Sequence, residues 1–181
     1  MSSVAQRMPL KAAEKIACEL VALLSEHSKR VAIAGSIRRK MPLVGDIEIV
    51  CIPKMKQKVA SQDLFGTKII YNNQVMRYIS SSSDFEKLKG GERYQKLLYK
   101  GEVVVDLFMT TKQEWGRILA IRTGSDRYSK LMSSRWVQLG YHGIDGKLIH
   151  EDTKEPAPAF PTEQSFFEFL QWKYIEPEKR R

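Results

Sequence analysis

The chain has little of what would place it in several large protein classes. It carries two cysteines and three histidines in 181 residues, too few for a disulfide framework and without the spacing of a zinc site. Cys18 falls in a helical pattern and Cys51 in a strand pattern, so both are expected to be buried, reduced thiols. No stretch approaches the roughly 18 apolar residues of a membrane span. The N-terminus lacks the basic, apolar and small-residue succession of a signal peptide. These absences lead us to expect a soluble intracellular monomer, of the cytoplasm, nucleoid or nucleus, with no membrane partner. Internal repeats and low-complexity linkers are also missing. Acid is the scarcer charge: 21 Asp and Glu stand against 30 Lys and Arg, a formal charge of +9. Between positions 29 and 58 the bases are Lys29, Arg30, Arg38, Arg39, Lys40, Lys54, Lys56 and Lys58, against only Asp46 and Glu48. Such asymmetry favours a polyanionic partner.

The few acids are placed where an ordinary core would avoid them. In Val44-Gly45-Asp46-Ile47-Glu48-Ile49-Val50-Cys51-Ile52 the residues alternate at the two-residue period of a strand, which puts Asp46 and Glu48 on one face. A second run, Glu102-Val103-Val104-Val105-Asp106-Leu107-Phe108-Met109, is β-branched and apolar yet carries Asp106 at its centre, where burial of a lone charge is costly. If the two strands are neighbours, three carboxylates converge and supply oxygen ligands for hard cations such as Mg²⁺. Two such ions about 4 Å apart clamp the attacking and leaving oxygens of a phosphoryl displacement. Upstream, Val31-Ala32-Ile33-Ala34 feeds Gly35-Ser36-Ile37-Arg38-Arg39. A glycine and a small hydroxyl at a strand end admit a phosphate close to backbone amides, and Arg38 and Arg39 supply planar donors for it.

The remaining pattern gives an α+β organisation. A helix is expected over 9–28, with Ile16, Leu20, Leu23 and Leu24 on its apolar face, and strands near 31–35 and 45–52. A lysine-rich connection over 53–58 leads to strands at 67–71 and 76–80, parted by Asn72-Asn73, with a loop at 80–84. A hairpin over 92–100 and 102–109 turns at Gly101, preceded by Gly90-Gly91. Helices follow at 112–121 and 126–139, the second capped by Ser125 with Asp126 in its first turn. Asp145-Gly146 turns a second hairpin, and Thr162 caps a last helix bearing Phe166, Phe167 and Leu170. With 43% hydrophobic residues the chain can bury one core or two small lobes. The acids fall in a mixed-sheet lobe over 1–110, and a smaller α/β lobe covers 111–181.

On these residues the chain resembles the family X DNA polymerases, the DNA polymerase beta-like nucleotidyltransferases, in a minimal form like the family's short viral member. The match lies in Gly35-Ser36-Ile37-Arg38-Arg39, Gly45-Asp46-Ile47-Glu48, Val105-Asp106-Leu107, Thr123-Gly124-Ser125-Asp126 and Phe169-Leu170-Gln171-Trp172-Lys173-Tyr174-Ile175-Glu176-Pro177, in the family's order over almost the whole chain. The resemblance implies a nucleotidyltransferase palm with a mixed sheet and flanking helices, followed by a nucleotide-selecting subdomain, without the family's lyase and helix-hairpin-helix domains. It implies two-metal transfer of a nucleotide to a primer 3′-hydroxyl in gap filling or DNA repair, with two Mg²⁺, or Mn²⁺ in their place, and with DNA and a dNTP as partners. Asp46, Glu48 and Asp106 become metal ligands and catalytic residues. Gly35, Ser36 and Arg39 hold phosphates, Thr123, Gly124 and Asp126 contact sugar and base, and Lys130 and Arg38 meet DNA. Three departures stand out. Glu48 replaces the usual Asp. Ile121-Arg122 stands where an aromatic pair commonly selects the sugar, and Ser129 and Ser133 replace minor-groove donors. The alternatives left open are a template-independent nucleotidyltransferase on DNA or RNA ends and a DNA-binding module without activity.

Overall fold

The computed structural model describes residues 7–63 and 66–180; the first six residues, on which the signal-peptide expectation partly rests, lie outside the described residues. In chain order, β1 is Met8–Pro9, α1 Leu10–Ser25, β2 Ser28–Ile33, α2 Gly35–Arg38, β3 Leu43–Val44, β4 Ile47–Pro53, β5 Met55–Asp63 and β6 Gly66–Asn73. Then come α3 Gln74–Ser81, β7 Phe85–Gly90, β8 Tyr94–Tyr99, β9 Val103–Met109, α4 Trp115–Thr123, α5 Asp126–Gln138, β10 Tyr141–Ile144, β11 Lys147–His150, α6 Glu163–Phe169 and a 3₁₀ turn at Pro177–Lys179. The fold is α+β. Its centre is a mixed five-stranded sheet in the order β2-β4-β9-β8-β7, with β4 and β9 parallel and the other pairs antiparallel.

Alternation along these strands divides the side chains between two layers. Ile47, Ile49 and Cys51 of β4, with Val105 and Leu107 of β9, pack under Ala13, Ala17, Leu20 and Leu24 of α1 and Val75 and Ile79 of α3. The opposite face presents Val50 and Phe108 to Trp115 and Leu119 of α4. A separate cluster of Ala120, Met132, Leu148, Phe160, Phe166, Phe167 and Leu170 forms the core of the C-terminal lobe. Helix α4 thus contributes to two cores, one on each side. Its close seating depends on Gly116, where a Cβ would lie 1.8 Å from the Thr162 carbonyl oxygen, and whose N–H donates to the Phe160 carbonyl at 2.7 Å. Among the described residues no helix is long and apolar enough to cross a membrane.

Several local expectations are corrected. Residues 76–80 are helical: the Asn73 side chain accepts from the Met76 N–H at 3.1 Å and caps α3, so the Asn pair ends a strand and starts a helix. Val75 and Ile79, four apart, form its buried face. The 53–58 connection is largely strand, because β5 pairs with β6 in a long two-stranded ribbon separate from the main sheet. Strand β7 was hidden by composition: it is an edge strand whose residues after Phe85 are all exposed, so no apolar alternation marks it. Helix α1 ends at Ser25, short of the expected 28, as Ser28 already pairs with Pro53. Cys18 is exposed; Cys51 is buried, and burial pushes its thiol pKa up to about 12. The caps at Ser125 and Thr162 form through side-chain oxygens accepting from Tyr128 and Ser165 N–H groups.

Candidate active site

The parallel register of β4 and β9 sets Glu48 directly beside Asp106. Asp46 lies one residue before β4, in a bend with Gly45, not in the strand itself, yet its carboxyl still reaches the same place. Its pKa is raised, first by burial and then by the charge of the Asp106 carboxylate nearby. Glu48 is pushed up to about 7 by burial, then by Asp46 and Asp106, with Arg39 and Arg122 opposing. Three carboxyl groups, two from neighbouring strands and one from the bend before β4, therefore share one partly buried site and repel one another.

Positive charge is already drawn in. Lys96 of β8, register partner of Asp106, holds its Nζ 3.1 and 3.2 Å from the two Asp106 oxygens. Tyr94 Oη donates to Asp106 Oδ1 at 2.7 Å, and its pKa rises to about 12 through burial and that bond. Sequence reading missed both residues. The signal was available, since Tyr94 and Lys96 alternate on the strand before the apolar run, but it acquires meaning only when the hairpin register is known.

Gly35 is tied to the acids. It has φ +60°, and a Cβ there would stand 1.8 Å from Glu48 Oε2, so the glycine makes room for the carboxylate as well as for the turn. Of the two arginines that follow, Arg39 donates to the Thr123 carbonyl. Arg38 is held on the C-terminal lobe: it donates to Thr123 Oγ1 at 2.6 Å and to Glu163 Oε1 at 2.9 Å, with a second bond to Glu163 Oε2. Glu163 also accepts from Arg180 Nη1 at 2.8 Å. Burial alone would raise the Glu163 pKa, but the hydrogen bond from Arg38 and the two guanidinium charges hold it below its ordinary value. Neither Glu163 nor Arg180 was singled out from sequence, because the pairing spans 125 positions.

Farther along, Gly124 follows α4 and packs against Arg39, whose Nη1 lies 2.8 Å from the position of a Cβ. Asp126 and Lys130 are exposed and paired with each other at 2.7 Å. The Ser129 and Ser133 hydroxyls donate to the backbone carbonyls of Ile121 and Ser129. The Arg122 guanidinium lies over the Phe108 ring at 4.1 Å.

Three carboxylates in mutual repulsion are oxygen donors of the type that hard divalent cations take. The Lys96 ammonium stands as the cation that this charge attracts, so the donor set fits such an ion in chemistry and charge. Among the described residues no three His, Cys, Asp or Glu side chains are arranged to hold an ion in the conformation seen; Asp106 would have to exchange Lys96 for it. No protein-family model and no curated protein matches the chain.

Proposed function

We propose that the chain is a minimal metal-dependent DNA polymerase of the family X type, adding a deoxynucleotide to a primer 3′-hydroxyl and releasing pyrophosphate. The observation that carries this reading is the convergence of Asp46, Glu48 and Asp106 beside Gly35-Ser36 and Arg39, with Glu48 and Asp106 in register on neighbouring parallel strands. Bound divalent cations would neutralise charge on the triphosphate and on the incoming hydroxyl oxygen. Asp46, Glu48 and Asp106 would hold them, and Asp106, released from Lys96, would take the hydroxyl proton. The 3′-oxygen bonds to the α-phosphorus as the α–β bridging bond breaks, and the electron pair leaves with pyrophosphate. Ser36 and Arg39 hold the phosphates. The Thr123-Gly124 backbone lies against the sugar, with Asp126 and Lys130 toward base and template. Arg38 keeps the phosphate loop fixed to the C-terminal lobe.

A second reading, a template-independent nucleotidyltransferase on DNA or RNA ends, is favoured by the Ser129 and Ser133 hydroxyls being turned into backbone bonds, which leaves fewer donors for a template pair. Primer extension on gapped, templated and single-stranded DNA, with deoxy- and ribonucleotides supplied separately, distinguishes the two. The Asp106→Ala variant should lose nucleotide addition and keep a cooperative thermal unfolding transition. Full turnover in that variant overturns both readings.

A further inference from the structure

Next to the acids, but not over them, the same sheet face opens into a cleft of about 1290 Å³. That exceeds the roughly 300–1,000 Å³ of ordinary small-ligand pockets. Its walls are the base of the β5–β6 ribbon, α3, the β7–β8 turn, residues 110–114 and the β10–β11 turn. Lys29, Arg77, Lys112 and Lys147 line it, are exposed, and form no ion pair among the described residues. Of the acids in the lining, Glu114 is held by Arg117 at 2.6 Å and Asp145 faces Arg93 at 3.7 Å, which leaves Glu92 alone to oppose those cations.

Aromatic rings line the floor, of which Phe108 is buried and Tyr94 half-buried. Tyr94 and Phe108 stack with centroids 5.0 Å apart, Arg122 lies over Phe108 at 4.1 Å, and Tyr71 stands 60% exposed at the rim. Planar groups between spaced cations are the features that hold an unpaired strand, through stacked bases and a tracked backbone. A duplex hides its base faces and could use only the cations. The floor is also continuous with the acids, since Tyr94 Oη is bonded to Asp106.

We propose that this cleft is a binding site for a single-stranded segment of nucleic acid that leads away from the carboxylates past Tyr94 and Arg122. Its direction relative to the chemistry rests on the polymerase reading above; the binding itself does not need the acids.

The test is fluorescence anisotropy of a labelled oligothymidylate of about twelve residues against the whole chain. Lys112→Glu with Lys147→Glu should weaken binding by about tenfold or more and lower the slope of log K against log salt by about 1.4, at ~0.7 per phosphate contact. Reversal of Lys11 and Lys15 on α1, outside the cleft, should change affinity less than about twofold. Tyr71→Ala should weaken binding with the salt slope kept, and so tests the cleft again if the charge-reversed pair does not fold. Binding is read without nucleotide or divalent metal and primer extension is run on the same parent and cleft variants: cleft-dependent binding without nucleotide addition fails only the polymerase reading, and addition without cleft-dependent binding fails only this site. Equal loss in the α1 and cleft pairs, no loss in the cleft pair, or equal loss for a blunt duplex of the same length would overturn the proposal.

Discussion

Lys96 places its ammonium 3.1 and 3.2 Å from the two oxygens of Asp106, so one of the three candidate metal ligands is already neutralised by a side chain of the neighbouring strand. An incoming cation must compete with that ammonium. Lys96→Ala is therefore expected to lower the Mg²⁺ concentration that half-saturates nucleotide addition about tenfold, a change of about 1.4 kcal/mol. A metal titration of primer extension checks this. An unchanged requirement would show that the lysine does not compete with the metal, and a higher one that it assists metal binding.

Glu48 carries a pH-dependent cost. Its folded-state pKa is raised from 4.5 to about 7, so the folded chain binds more protons than the unfolded one, and stability falls as pH rises through that window. Glu48→Gln should raise the melting temperature by several degrees at pH 8 and leave it nearly unchanged at pH 4. Mg²⁺ should stabilise the parent more at pH 8 than at pH 5, and Glu48→Gln less at both. Thermal melts with and without Mg²⁺ at the two pH values decide it.

Glu163 runs the other way. Its pKa is held below the ordinary value by Arg38 and Arg180, so its contribution is complete above an unfolded pKa of 4.5 and is lost as pH falls through the folded value. Glu163→Ala leaves Arg180, fully buried, without its counter-charge and should cost about 3–5 kcal/mol in urea unfolding at pH 7. The deficit should shrink as pH falls below 4.5. A deficit constant with pH would assign the loss to packing.

Gly116 is closed by backbone, not by a movable side chain. Gly116→Ala should destabilise by about 1–3 kcal/mol, as overpacking does, and disturb the C-terminal lobe through residues 160–163. Gly45→Ala, where a Cβ would meet nothing within 4 Å, should cost less. Paired denaturation curves compare the two.

What was readable from sequence was local. The alternation around Ile47 and Ile49, the glycine turn at 101, and the capping oxygens of Ser125 and Thr162 each depend on neighbours a few positions away, and each expectation matches the fold. The same locality explains the errors. Asn73 serves a turn or a helix cap equally well, and β7 has too little apolar alternation to announce a strand at the edge of a sheet. For the candidate site, the three acids and Gly35 were legible as residue types in a pattern. Tyr94, Lys96, Glu163 and Arg180 were not, because each acts through a partner fixed by strand register or by docking of the two lobes.

The sequence by itself determined which groups are available: scarce acids in apolar strands, a glycine-serine turn before them, and an excess of positive charge around them. Only the tertiary structure decided how they meet. Parallel pairing of β4 with β9 sets Glu48 beside Asp106, hairpin register brings Lys96 and Tyr94 onto that carboxylate, and lobe docking binds Arg38 to Glu163. The reason is physical: local periodicity fixes which face a side chain takes, whereas its charged neighbours are chosen by contacts between segments far apart in the chain.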